Sequence, residues 1–185
     1  MSTEPPERAE SQRRDHGTDD DPNRVEARAL VLLTATGEAI VARIERCVPD
    51  WAVVAVGRVL DAWSALDRSA RERTLDAAAV AGRAGAVRLG VELRALMALD
   101  PDTQPATPLE IVRSAYREPT VVLREAGAPP VTRDAFCERA LPDDVYDLSP
   151  RTFADLGDPA LAPLHRAWGA AKATVFRSRQ ARATD

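Results

Sequence analysis

Apolar positions recur every three or four residues along most of this chain, which is the spacing of helices buried on one face. Asp21-Pro22 supplies an N-cap and a first-turn proline. Val25, Ala29, Leu32, Leu33, Thr36, Ile40, Ile44 and Cys47 follow at helical spacing, with Gly37 interrupting the middle. A β-hairpin turning at Thr36-Gly37 is the alternative for residues 30–44. Helix is the better fit, because Glu26, Arg28, Arg43 and Arg46 form a polar face rather than a strand alternation. Pro49-Asp50 is read as an end and a new start. The stretch "DWAVVAVGRVLDAWSALD" carries charge only at Asp50, Arg58, Asp61 and Asp67, so it belongs in the centre of a bundle, anchored by Trp51 and Trp63.

Ser69 and Glu72 have capping-box spacing and open a long helix to about Leu99. One face holds Leu75, Ala78, Gly82, Ala86, Leu89, Gly90, Leu93, Leu96 and Met97. Within it, Ala78, Gly82, Ala86 and Gly90 form a ridge of small residues. Each interior glycine costs about 1 kcal/mol relative to alanine, so the ridge implies a second helix passing very close. Internal packing is the favoured reading and a homodimer seam the alternative.

After the loop "DPDTQPATP", Thr107-Pro108-Leu109-Glu110 starts a helix that Pro119 breaks or kinks and Gly127 stops. Thr132 caps a short helix to Ala140. Ser149-Pro150 starts another that ends at Gly157, and Asp158-Pro159 starts the last, running to about Arg179. The fold expected is all-α: a single bundle-like domain of six to seven helices over residues 23–180. A disordered acidic tail (1–22) precedes it and a disordered end (181–185) follows.

Composition adds compartment and surface. Apolar residues make up 45%, charged residues 29% and aromatics only 4% of 185 residues, which suits a globular protein. Lys172 is the only lysine among 25 basic residues, a bias that fits a GC-rich genome better than nucleic-acid binding. The whole net charge of −4 resides in residues 1–22, where seven acids face three bases; the rest balances to zero. A neutral body does not capture phosphate backbones well, so nucleic acid is an unlikely partner. The tail has only Met1 and Ala9 as apolar residues, too few to offset its ordering entropy, and His16 there is a solvated side chain. No apolar run suits a secretory leader or a membrane span, so the expected address is cytoplasmic and no membrane partner is expected. Cys47 and Cys137 stand 90 residues apart without a CxxC, which suggests neither zinc nor a disulfide framework.

Four clusters could carry chemistry. Asp143, Asp144 and Asp147 have the DDxxD spacing of the magnesium box of isoprenoid synthases. Here, however, Pro142 and Pro150 leave room for one turn and no second aspartate-rich helix exists, so no metal is expected. His165, Trp168 and Lys172 lie on the last helix. Leu161, Leu164, Trp168, Ala171 and Val175 make its buried stripe, with His165 and Lys172 at the rim: ordinary rim residues, or a polar pair at a groove. Arg113 and Arg117, one turn apart beside Tyr116, could bind a carboxylate or phosphate, although pairing with Glu110 or Glu118 is favoured. Arg166, Lys172, Arg177, Arg179 and Arg182 make a basic C-terminus that complements the helix dipole, and the acidic tail could screen it. No GxGxxG, Walker, HExxH, GxSxG or EF-hand motif occurs, and no cofactor is expected.

The stretches "TPLEIVRSAYREPTVVLREAGAPPVTRDAFCERALPDDVYDLSPRTFADLGDPAL" and "APLHRAWGAAKA" resemble an uncharacterised all-helical family of GC-rich bacteria, over residues 24 to 175 or so. The resemblance implies one folded domain and transfers no activity or functional residue. The leading expectation is a non-catalytic cytoplasmic protein that binds another protein or itself. A second is an enzyme or small-ligand binder with an inter-helix pocket, at Arg113, Tyr116, His165 and Lys172; a third is a nucleic-acid-associated regulator.

Overall fold

The computed structural model describes residues 21–62, 66–104, 106–127 and 148–184. Trp63, Cys137, His16, the expected helix from Thr132 to Ala140 and the triplet Asp143, Asp144 and Asp147 lie outside them. The described residues form an all-α fold of four helices, fewer than the six to seven expected.

The main reason is α1 (Pro22–Ala62), one helix of 41 residues that runs through Pro49 without ending. It starts as expected: Asp21 accepts the Asn23 N–H at 3.0 Å. A proline in a helix interior costs ~3 kcal/mol or more. Here the buried row of Ile40, Val41, Ile44, Val48, Ala52 and Val56 keeps its helical phase across residue 49, and all six are fully buried. At ~0.8 kcal/mol per buried CH₂, that continuous face outweighs one lost hydrogen bond. The hairpin alternative for residues 30–44 does not occur. Trp51 is buried in the centre, as expected.

α2 (Arg68–Met97) runs antiparallel to α1. Its N-cap is Asp67, whose carboxylate accepts the Ala70 N–H at 2.7 Å. Ser69, expected as the cap, lies within the first turn and accepts from Arg73 instead. The register is set by close contacts: a Cβ on Gly37 would meet Met97 at 3.3 Å, and one on Gly57 would meet Leu75 at 3.8 Å. Between these, a Cβ on Gly82 would stand 2.9 Å from the Ala52 Cβ and 3.0 Å from the Pro49 Cα. The small-residue ridge is therefore an internal crossing, and it falls on the proline itself.

α3 follows in three consecutive stretches: α-helical Leu109–Val112, 3-10 Arg113–Tyr116 and α-helical Arg117–Glu125. Pro119 lies inside the last of these, so the irregularity precedes it rather than ending the helix there. Pro119 has no N–H for the carbonyl one turn earlier, and its ring crowds that turn. Gly127 stops the chain at φ 73°. The helix expected after Ser149-Pro150 is a single 3-10 turn, Phe153–Leu156, stopped at Gly157 as anticipated.

α4 (Leu161–Thr184) lies against the first half of α1, antiparallel to it. Its buried face is Leu161, Trp168, Ala171 and Val175, with Leu164 half-buried. It continues to Thr184, past the end expected near Arg179, because its polar end is tied down: Arg182 donates to Asn23 at 2.7 Å and to Glu26.

A Gly82→Val variant should lose at least about 1–3 kcal/mol by overpacking. Gly169→Ala, where a Cβ meets nothing within 4 Å, should gain about 0.5–1 kcal/mol. Urea denaturation of both variants checks the pair.

Candidate functional site

Several charged side chains of the described residues join one element to another. Arg88 on α2 holds Glu118 and the Ser114 carbonyl on α3. Arg94 holds Glu45 through two bonds of 2.7 and 2.8 Å, and Arg43 grips Asp158 at the entry to α4. The densest tie is at Arg179. It reaches Glu26 of α1 at 2.9 Å, and Asp100 and Asp102 of the loop after α2 at 2.7 and 2.8 Å. Glu26, read from sequence as part of an open polar face, is buried beneath Arg179 and Arg182. The basic C-terminus therefore does more than complement a helix dipole.

The same loop meets a second cation. Gln104 donates its side-chain amide to the Met97 and Leu99 carbonyls, at 3.1 and 2.8 Å, satisfying acceptors that the end of α2 leaves open. Its own carbonyl accepts Lys172 Nζ at 2.7 Å. Residues 100–104 are thus held on α4 between Lys172 and Arg179.

Between that loop and α4 lies a cavity of about 410 Å³, lined by Pro101, Asp102, Ala106, Trp168, Lys172 and Phe176 among others. The Lys172 ammonium sits 5.4 Å from the centroid of the Trp168 ring, within cation–π range. Trp168 is 1% exposed and its indole N–H has no acceptor. His165 stacks on Trp168 at 6.3 Å and packs against Phe153 at 5.0 Å. Burial lowers the proton affinity of His165, and also that of Lys172, where Asp102 opposes the shift. Phe176 remains half exposed at the cavity's edge.

Of the residues singled out from sequence, His165, Trp168 and Lys172 do form one cluster. Arg113 and Arg117 are exposed on α3, and Tyr116 lies in its 3-10 stretch. The favoured pairing with Glu110 or Glu118 is not found among the described residues; Glu118 turns instead to Arg88 on α2. α3 packs on α2 and α1 while α4 packs on α1 and the Phe153 turn, so the arginine pair and the His165 cluster do not converge. Phe176 and the loop residues 101–106 were not identified from sequence. Their only signal was one aromatic residue falling outside the buried stripe of α4.

A larger cavity of about 530 Å³ lies between α1 and the Phe153–Leu156 turn, lined by Arg46, Cys47, Asp50, Trp51, Arg58 and Asp158 among others. Its thiol is a poor nucleophile: burial pushes the Cys47 pKa up, and Sγ donates to the Arg43 carbonyl. Among the described residues, no group of three or more His, Cys, Asp or Glu is placed to hold a metal ion. Nor is any helix there long and apolar enough to cross a membrane. No family model, curated protein or solved structure matches the chain.

Arginine partners hold the carboxyls of Asp100, Asp158 and Glu45 below their ordinary values. Folded, these acids bind fewer protons than they do unfolded. Their stabilisation is complete above the ordinary carboxylate range and is lost as pH falls through about 4 towards the lower folded values. Thermal melts at falling pH should show this. Arg179→Met should cost about 1–2 kcal/mol, because Glu26 stays buried with Arg182 alone, and should flatten the acid limb of the pH profile by removing Asp100's partner.

Proposed function

We propose that this is a non-catalytic protein that acts by association, and that its partner is a second copy of the chain. The observation that carries this reading is the outer face of α2. Ala77, Val80, Ala84, Val87 and Val91 follow one another at spacings of three and four, which is the a/d repeat of a coiled-coil seam. All five point away from α1. Val80, Val87 and Val91 are 59, 68 and 64% exposed, and Ala77 and Ala84 are exposed beside them. Valines spaced regularly along one helix face carry a burial energy of about 1.5 kcal/mol each that the monomer leaves unused.

Two features favour a second copy as the occupant. A two-fold interface sets the same surface against itself, so its rim must not present uncompensated like charges. Arg88 and Arg94, beside this seam, are neutralised within their own chain by Glu118, Glu92 and Glu45, and Asp76 and Arg83 offer opposite signs on one flank. The seam is also narrow and built from alanine and valine. It therefore suits a partner helix with equally small knobs, which α2 itself provides. The neutral charge of residues 23–185 gives nucleic acid no comparable foothold.

Sedimentation velocity of the full chain should show a dimer, and Val80→Glu/Val87→Glu should be monomeric with unchanged helical circular dichroism. Each lost valine weakens association by about tenfold or more. A wild-type chain that stays monomeric at every concentration, or a double-glutamate variant that still dimerises, would refute self-association through this face.

A further inference from the structure

Two copies can meet on the outer face of α2 with their helices running the same way or in opposite directions. Resting on that self-association, we infer that the two α2 helices pack antiparallel, with Ala84 of each copy against Val87 of the other, and that this register sets Arg73 and Arg83 of one copy beside acids of the second.

The ends of the seam decide the direction. Its spacing continues to Arg73 on one side and to Arg94 and Ala98 on the other, and all three are exposed. In a parallel two-fold pair every seam residue meets its own copy. Arg73 then faces Arg73, Arg94 faces Arg94, and on both flanks Arg83 faces Arg88. Valine on valine and alanine on alanine also make alternately wide and narrow layers. An antiparallel pair joins unlike positions. With Ala84 against Val87, Val80 meets Val91, Ala77 meets Arg94, and Arg73 meets Ala98. Both arginines at the ends of the seam thus face an alanine. A slip of one heptad in either direction puts Arg73 against Val91 or Arg94 against Ala84 and shortens the apolar layers.

The charges beside the seam fit the same register. Asp76, Arg73 and Arg83 are exposed and form no ion pair among the described residues. In the antiparallel pair Arg83 comes opposite Gly90 of the second copy. The space a side chain would take there is filled by the Glu45 carboxylate, which a Cβ on Gly90 would strike. Arg94 of the second copy lies over Ala77, beside Asp76. Arg73 lies over Ala98 and next to Asp100, whose carboxylate is half exposed and shares Arg179 with Glu26 and Asp102. Exposed pairs of this kind add little affinity. They select the arrangement, because the parallel one sets like charges at the same places.

Double electron–electron resonance on the full chain tests this. Cys47→Ala and Cys137→Ala remove the native thiols, and a spin label is placed at Glu72→Cys or at Leu99→Cys, both exposed and off the seam. In the antiparallel register each singly labelled dimer should give a distance of about 40 Å, from 27 residues at ~1.5 Å each. A mixture of the two variants should add a distance of about 20 Å or less, since residues 72 and 99 lie level on neighbouring helices. A one-heptad slip moves the two long distances by about 10 Å in opposite directions. Sedimentation of Arg83→Glu, which sets an acid on Glu45, should show dimerisation weakened several-fold. Short distances within a singly labelled variant, slipped long distances, or tighter association of Arg83→Glu would overturn the register and leave self-association standing. A monomeric chain with no dipolar distance, or long distances in the single and mixed samples alike, would overturn both.

Discussion

One helix passing through a proline sets the geometry of this protein. At 41 residues α1 is about 60 Å long, more than three times the length of an average globular helix of about 12 residues. The other long helices take their places along it. α2 covers the half from Gly37 to Asp61 and α4 the half from Glu26 to Arg43, both antiparallel to it. Had α1 ended at Pro49, these halves would be separate helices with an independent angle between them. Instead the buried row from Ile40 to Val56 holds one axis, and Gly82 lets α2 cross directly over the proline.

With the helices fixed along a spine, the segments between them are secured by charge. The loop after α2 offers the clearest case. Gln104 closes the end of α2 with its side chain and receives Lys172 on its carbonyl, while Asp100 and Asp102 take Arg179. Two cations about two turns apart on one face of α4 thus clamp a short loop, and the space left between loop and helix becomes the cavity beside Trp168. Structure and candidate site here share a cause: the long side chains that hold the loop also leave its apolar neighbours standing apart.

The cluster of His165, Trp168 and Lys172 was legible in the sequence, because three rare residues on one amphipathic helix fix their own mutual placement. What they face was not legible, since Pro101, Asp102 and Ala106 are 59 or more residues away along the chain. Arg113 and Arg117 illustrate the reverse. Their spacing invited a local pairing with Glu118, and a partner on another helix, Arg88, took that acid. The same limit applied to α2. Its two apolar faces were both written in the sequence, yet only the packing of Ala78, Gly82 and Ala86 against α1 shows that Val80, Val87 and Val91 are the ones left outside.

The helical character, the phase of each buried face, the start at Asp21-Pro22 and the stops at Gly127 and Gly157 were determined by the sequence alone, because they depend on interactions within a few residues. The number of helices, the true cap of α2 at Asp67 and the reach of α4 to Thr184 were decided by tertiary structure. In each case a distant partner supplied energy that local rules omit: a buried face spanning Pro49, a chain entry that places Asp67 ahead of Ser69, and a carboxylate on α1 that fastens the arginines of α4.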